Sequence, residues 1–227
     1  MRPLEHIAIP VALIAVGGLL GWSFFLAVTG ETGETGERLA AIALAHVPES
    51  GVTNPVTSVL LNFRAYDTLL ELAVLLSALL GIWSLGPAGP GFQPASEVLG
   101  GMVAWFVPLL ILAAGYMLWV GAYAPGGAFQ AGALLGAAGV MLALCGHPSA
   151  GLPSEARLRI LAALGVFVFV AIGLVLMVAG DGFLTFPLGL AKWLILTIET
   201  AATLAIGVTL AAAYLGGHTA PPHASRE

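Results

Sequence analysis

Residues 101–120 read GMVAWFVPLLILAAGYMLWV, twenty positions without a single charge. A helix of that length is about 30 Å long, the thickness of a bilayer's hydrocarbon core. The apolar side chains run on continuously instead of alternating with polar ones, which argues against the strand pattern of a membrane β-barrel. Similar runs recur along the whole chain of 227 residues, which is 59% hydrophobic and only 8% charged, with a mean hydropathy of +1.01. A soluble domain of this size needs far more polar surface. The fold class is therefore all-α, a polytopic transmembrane helical bundle.

Outward from this run, six spans are expected, at about 7–28, 66–85, 99–120, 129–146, 160–179 and 188–214. Gly- and Pro-rich connections separate several of them: GPAGPGFQP (86–94), YAPGGAF (123–129) and HPSAGLPSEARLR (147–159). The first apolar stretch, Ile7 to Val28, is broken only by Pro10 and is too long for a typical signal-peptide core. No small-x-small cleavage site clearly follows it, so it reads as a mature span. The longest connection, 29–55, opens with GETGETGE (30–37), whose glutamates read as solvated. RLAAIALAHV (38–47) is too short to span and is expected along the interface or against a neighbour; a crossing there would make seven spans. Small residues four apart, Gly17/Gly21 and Gly132/Gly136, permit close helix packing without naming a partner.

The net charge of −5, without a basic cluster, excludes nucleic-acid binding. Cys145 is the single cysteine, so it forms no intrachain disulfide and reads as a small packing residue. No nucleophile–base pair, dinucleotide loop or metal-ligand cluster is present, so no cofactor or metal is expected and an enzyme acting alone is not. His218 and His223 belong to a polar tail. With six spans, Arg2, Arg157, Arg159 and Arg226 share one side and Arg38 lies on the other with an excess of acids. The positive-inside rule then puts both termini in the cytoplasm.

Two places break the apolar pattern. In LLNFRAYDTLLELAV (60–74), Arg64, Asp67 and Glu71 share one face if 62–74 is helical. Arg64 and Asp67 are either an interfacial pair or part of a path for ions, whereas Glu71 lies inside the apolar span. In PLGLAKWLILTIETAATLAIG (187–207), Lys192 and Glu199 also share a face, but their side chains start about 10 Å apart along the axis. Direct pairing then needs an intermediary, and Lys192 is within reach of the interface by snorkelling. A mid-bilayer charge costs about 2.5–3.5 kcal/mol on insertion scales, so both deep glutamates are candidate proton or cation relays. The loop APGGAFQAG (124–132) has no basic residue and reads as a close-packed turn or a re-entrant element.

Two of these stretches together resemble a known family. NFRAYDTLLELAVLLSALLG (62–81) is similar to the "DFRGFDTLGE" signature of the small membrane domain at the C-terminal end of the A subunit of Mrp-type Na⁺/H⁺ antiporters. In membrane-bound hydrogenases the same domain is a separate small subunit; Arg64, Asp67, Thr68 and Glu71 all match. GAYAPGGAFQAG (121–132) resembles the "GHNxPGGGFxGG" motif of the antiporter's B subunit, a family that also ends in a span with a glutamate placed like Glu199. Pro125, Gly126, Gly127 and Phe129 match, while the histidine position is Ala122 and one motif glycine is Ala128. With Ala122 at the histidine position a relay role for that position does not carry over, and the four matching residues favour a structural role for the loop. The resemblance implies a fusion, 1–97 being the small two-span domain and 98–227 the four-span B-subunit domain. It further implies membership of a multisubunit complex related to the membrane arm of complex I. The expected partners are the other subunits of that complex, the bilayer and Na⁺ or H⁺; the expected ion-path residues are Glu71, Glu199, Asp67, Arg64 and Lys192. A purely structural role in a redox-driven or otherwise coupled complex is the alternative.

Overall fold

The computed structural model describes residues 14–26, 32–85, 96–146, 154–180 and 182–216. Arg2, Pro10, His218, His223, Arg226 and the connection 86–94 lie outside them, as does much of 147–159. All regular structure among the described residues is helical, in two compact units, 1–45 and 46–227.

The first unit holds α1, Ile14–Leu26, and most of α2, Thr32–His46. In α1 the rings of Trp22 and Phe25 stack at 5.7 Å, and Gly17 and Gly21 face open space. The expected loop over 29–55 is therefore largely a helix. Alanine and leucine dominate 37–45, and these strong helix formers carry α2 back through part of the GETGETGE repeat.

The second unit begins with a 3₁₀ turn, Val47–Ser50, followed by α3, Pro55–Ser58, and a π-helical turn, Val59–Phe63. Four long helices follow the apolar runs: α4, Ala65–Ser84; α5, Glu97–Val120; α7, Glu155–Ala179; and α8, Leu188–Tyr214. The shorter α6, Ala128–Leu144, lies between α5 and α7 in sequence. Four candidate spans and two shorter apolar helices, α1 and α6, thus stand where six spans were read. The chain is a multi-pass membrane protein.

The sequence of α8 dictates its central place. Its buried alanines, glycine and threonine (Ala201, Ala202, Thr203, Ala205, Gly207) are spread around the helix, and α6, α7 and α4 all pack against it. A Cβ on Gly132 would fall 2.6 Å from the Cβ of Ile206, and one on Gly207 would fall 2.8 Å from that of Leu135. The Gly132/Gly136 pair is thus the α6 half of the α6–α8 contact, where close backbone approach replaces the hydrophobic drive that lipid does not supply. Gly165 of α7 abuts Ala202 and Ala205 in the same way. Phe169, Ile195 and Ile198 are fully buried at the centre.

The continuous helix considered over 62–74 breaks at Arg64, whose φ of −126° and ψ of 34° are not helical. The π turn closes with Arg64 N–H donating to the Val59 carbonyl at 2.8 Å, and Thr68 Oγ1 donates to the Leu60 carbonyl at 2.7 Å. These bonds satisfy backbone groups that a continuous α-helix would have paired internally.

Candidate functional site

The break between α5 and α6 is the centre of the molecule's polar chemistry. Residues 121–127 carry the chain from one helix to the next, and their glycines are dictated by contact. A Cβ on Gly126 would sit 2.6 Å from the Met117 carbonyl oxygen, and one on Gly121 would sit 2.8 Å from the Cα of Gly127. Gly127 has φ of +119° and ψ of −173°, which side chains other than hydrogen rarely adopt. Gly127 N–H donates to the Met117 carbonyl at 2.9 Å, folding the loop back on the end of α5. Phe129 packs into the main apolar cluster, and Pro125 is exposed.

Non-helical backbone inside a membrane protein needs partners from the protein itself. The segment 53–57 supplies them. The side-chain amide of buried Asn54 donates to the carbonyls of Gly121 and Ala124, both at 2.8 Å, and to Thr57 Oγ1 at 3.0 Å. Thr57 Oγ1 also donates to the Gly121 carbonyl at 2.5 Å. The backbone N–H groups of Thr53 and Asn54 both donate to the Ala122 carbonyl at 3.1 Å. Asn54 Oδ1 in turn accepts from Val56 N–H at 3.1 Å and caps α3. Asn54 makes four side-chain hydrogen bonds, and sequence reasoning passed over it. The available signal was Asn-Pro preceding a short apolar stretch, which marks a helix start but says nothing of a loop nearly seventy positions away.

Glu199 closes the site from below. It lies eleven residues into α8, about 16 Å along the axis from Leu188, and is 2% exposed. Its carboxylate accepts a hydrogen bond from the backbone N–H of Ala128, the first residue of α6. The helix-dipole field there favours negative charge. The Cβ position of Gly127 lies 3.0 Å from Glu199 Oε1, so any larger residue there would press on the carboxylate. Oε2 is buried with no protein partner. Thr203, one turn further along α8, reaches the Ala128 carbonyl at 3.5 Å.

Lys192 is held at the other end of the same loop. Its ammonium lies 5.0 Å from the ring centre of Tyr123 and 5.5 Å from that of Trp193, a cation–π arrangement. Lys192 and Glu199 do not pair directly; the 123–128 loop stands between them, touching Lys192 through Tyr123 and Glu199 through Ala128.

The charges of α4 form a separate group. Arg64 and Asp67 make an ion pair, and their side chains are 71% and 45% exposed. Glu71, one turn beyond Asp67, is exposed on the surface of α4 and has no hydrogen bond or ion pair among the described residues. The structure thus brings Arg64 and Asp67 together, brings Glu199 to the loop, and leaves Glu71 facing outward.

Fold and site define a multi-pass helical membrane protein in which Glu199, the one fully buried acid among the described residues, is docked on an internal loop. Residues 98–215, more than half of the chain, match the family of domains related to the MnhB subunit of Na⁺/H⁺ antiporters. The chain belongs to that family. Two solved assemblies contain similar chains. One is the Mrp complex from Dietzia sp. DQ12-45-1b, with 24% identity and a TM-score of 0.60 over 100% of this chain and 27% of the other. The other is the membrane-bound sulfane sulfur reductase, an archaeal respiratory membrane complex, with 21% identity and a TM-score of 0.65 over 94% of this chain and 97% of the other. At these identities the likeness is one of fold, and the chain spans about a quarter of the length of the Mrp chain. No curated protein sequence matches it.

Proposed function

We propose that this chain is a subunit of a multisubunit Mrp-type cation/proton antiporter in the cell membrane, with both termini cytoplasmic. In this reading 98–227 is the B-subunit domain and 1–97 a fused counterpart of the small domain that ends the antiporter's A subunit. The chain forms part of the Na⁺ or H⁺ path, and its partners are the other membrane subunits.

The observation that carries the reading is Glu199. A carboxylate enclosed at mid-span, with one oxygen on a backbone N–H and the other unpaired, is costly to bury. It is suited to exchanging a proton or coordinating a cation through the free oxygen. Lys192 at the loop's far end supplies a cation whose field reaches the same loop, and Arg64, Asp67 and Glu71 supply charges on the outward side. Glu199→Gln keeps the side chain's shape and its acceptor for Ala128 N–H while removing the titratable group. Sodium-dependent proton flux in membrane vesicles should fall to background with the complex still assembled. Unchanged flux in an assembled Glu199→Gln complex would refute the assignment.

A second reading is favoured by the near-complete overlap with a chain of the sulfane sulfur reductase. There the chain would serve a redox-driven ion-pumping complex, structurally or as part of its path. Purification of the native complex discriminates the two: bound iron–sulfur clusters, seen by visible absorption, belong only to the redox-driven case.

A further inference from the structure

The outward face of α4 combines two features that a free lipid-facing helix has no reason to carry. Glu71 lies six residues past Ala65, about 9 Å along the helix, and is exposed without a partner among the described residues. Val74, Ala78 and Gly81 are also exposed, and with Glu71 they fall within about 80° on the helical wheel. A Cβ added to Gly81 would meet nothing within 4 Å. The face therefore has a carboxylate at one level and a shallow channel of small side chains below it. Such a channel lets another helix approach to backbone distance. Hydrocarbon offers an ionised carboxylate neither charge nor hydrogen bond, so the group that covers Glu71 must supply both.

We infer that this face of α4 is the docking surface for a transmembrane helix of another subunit, and that this helix places a lysine or arginine against Glu71. Charge complementarity selects the occupant. Arg64 is already committed to Asp67, Lys192 lies against the Tyr123 and Trp193 rings and Arg159 lies over the Trp83 ring, so these three cations are engaged elsewhere. The Arg64–Asp67 pair at the head of α4 is neutral in sum, leaving Glu71 as the single uncompensated charge on that face. The inference rests on the chain's being a subunit of a larger complex.

The test uses the native complex, with a photo-crosslinking residue placed at Val74 or at Ala78. Purification comes first: co-purifying membrane subunits support the subunit reading, and a chain that purifies alone overturns that reading and this surface with it. With subunits present, irradiation should join both positions to one span of a single other subunit, and that span should contain a lysine or arginine. Glu71→Lys should lower the adduct yield by about tenfold and Glu71→Gln by less, since the amide keeps a hydrogen bond. Adducts to lipid alone, to a second copy of this chain, to its own residues 1–45, or to a span without a basic residue would each overturn the inference while leaving the subunit reading intact.

Discussion

Helices α8 and α4 each cross the apolar layer with one glutamate, and the two acids have opposite surroundings. Glu199 is enclosed: α8 is buried along most of its length, and the acid meets the first N–H of α6. Glu71 stands on the outside of a helix that is mostly exposed. The same residue type in the same kind of segment therefore faces two problems. The interior acid must be accommodated by its own chain, which does so with a broken helix pair, three close-packed glycines and Asn54. The outward acid is left for something else to satisfy. An enclosed group is suited to moving charge through the chain, and an outward one to joining it to a neighbour.

The contact that encloses Glu199 offers the most drastic way to break this contrast. Gly132→Leu would drive a side chain into Ile206, where even a Cβ would lie at 2.6 Å. Overpacking of this kind costs about 1–3 kcal/mol or more, and here it opposes two whole helices. The expected outcome is loss of folded chain from membranes, measured by detergent-resistant size-exclusion profile, whereas Gly81→Leu on the open face of α4 should leave the chain itself folded. Next in size, Asn54→Ala would strip partners from the Gly121 and Ala124 carbonyls and from Thr57. A cost of about 2–3 kcal/mol is expected, seen as a lower thermal midpoint of the purified protein. Gly127→Ala combines an unfavourable φ with a Cβ placed 3.0 Å from Glu199 Oε1. It should cost about 1–3 kcal/mol and, unlike Asn54→Ala, disturb ion flux directly by displacing the carboxylate. The smallest effect belongs to the head of α4. Asp67→Asn breaks an ion pair that is largely exposed and should change the chain's own thermal stability by under about 1 kcal/mol. A large loss there would mean that the outer face of α4 is as structurally committed as the interior, and the contrast would fail.

Sequence and structure agree most where a single physical constraint acts. Uncharged runs of twenty residues have few homes outside a bilayer, so the long helices were legible from composition and length. The motif glycines were legible as a turn, and the resemblance to the B-subunit motif singled out a late glutamate without saying that the two meet. The helical wheel over 62–74 was less reliable. It treated Arg64 as helical, and the π turn with Thr68 bonded back to Leu60 breaks the helix there. Asp67 and Glu71 keep their common face because both lie within α4, so only the arginine's placement changed.

By itself the sequence determined the class of protein, the approximate spans, the identity of the out-of-place charges and the loop that interrupts α5 and α6. These depend on local composition and on the helical repeat, which act within about twenty residues. Only the tertiary structure decided which acid is enclosed and which is left outside. Periodicity says that a residue shares a face with its neighbours along one helix, but not what that face meets. The meeting of Glu199 with Ala128, of Asn54 with the 121–124 carbonyls and of Gly132 with Ile206 all join segments distant in sequence. Each exists because a buried polar group or a close backbone approach requires a specific partner across the bundle.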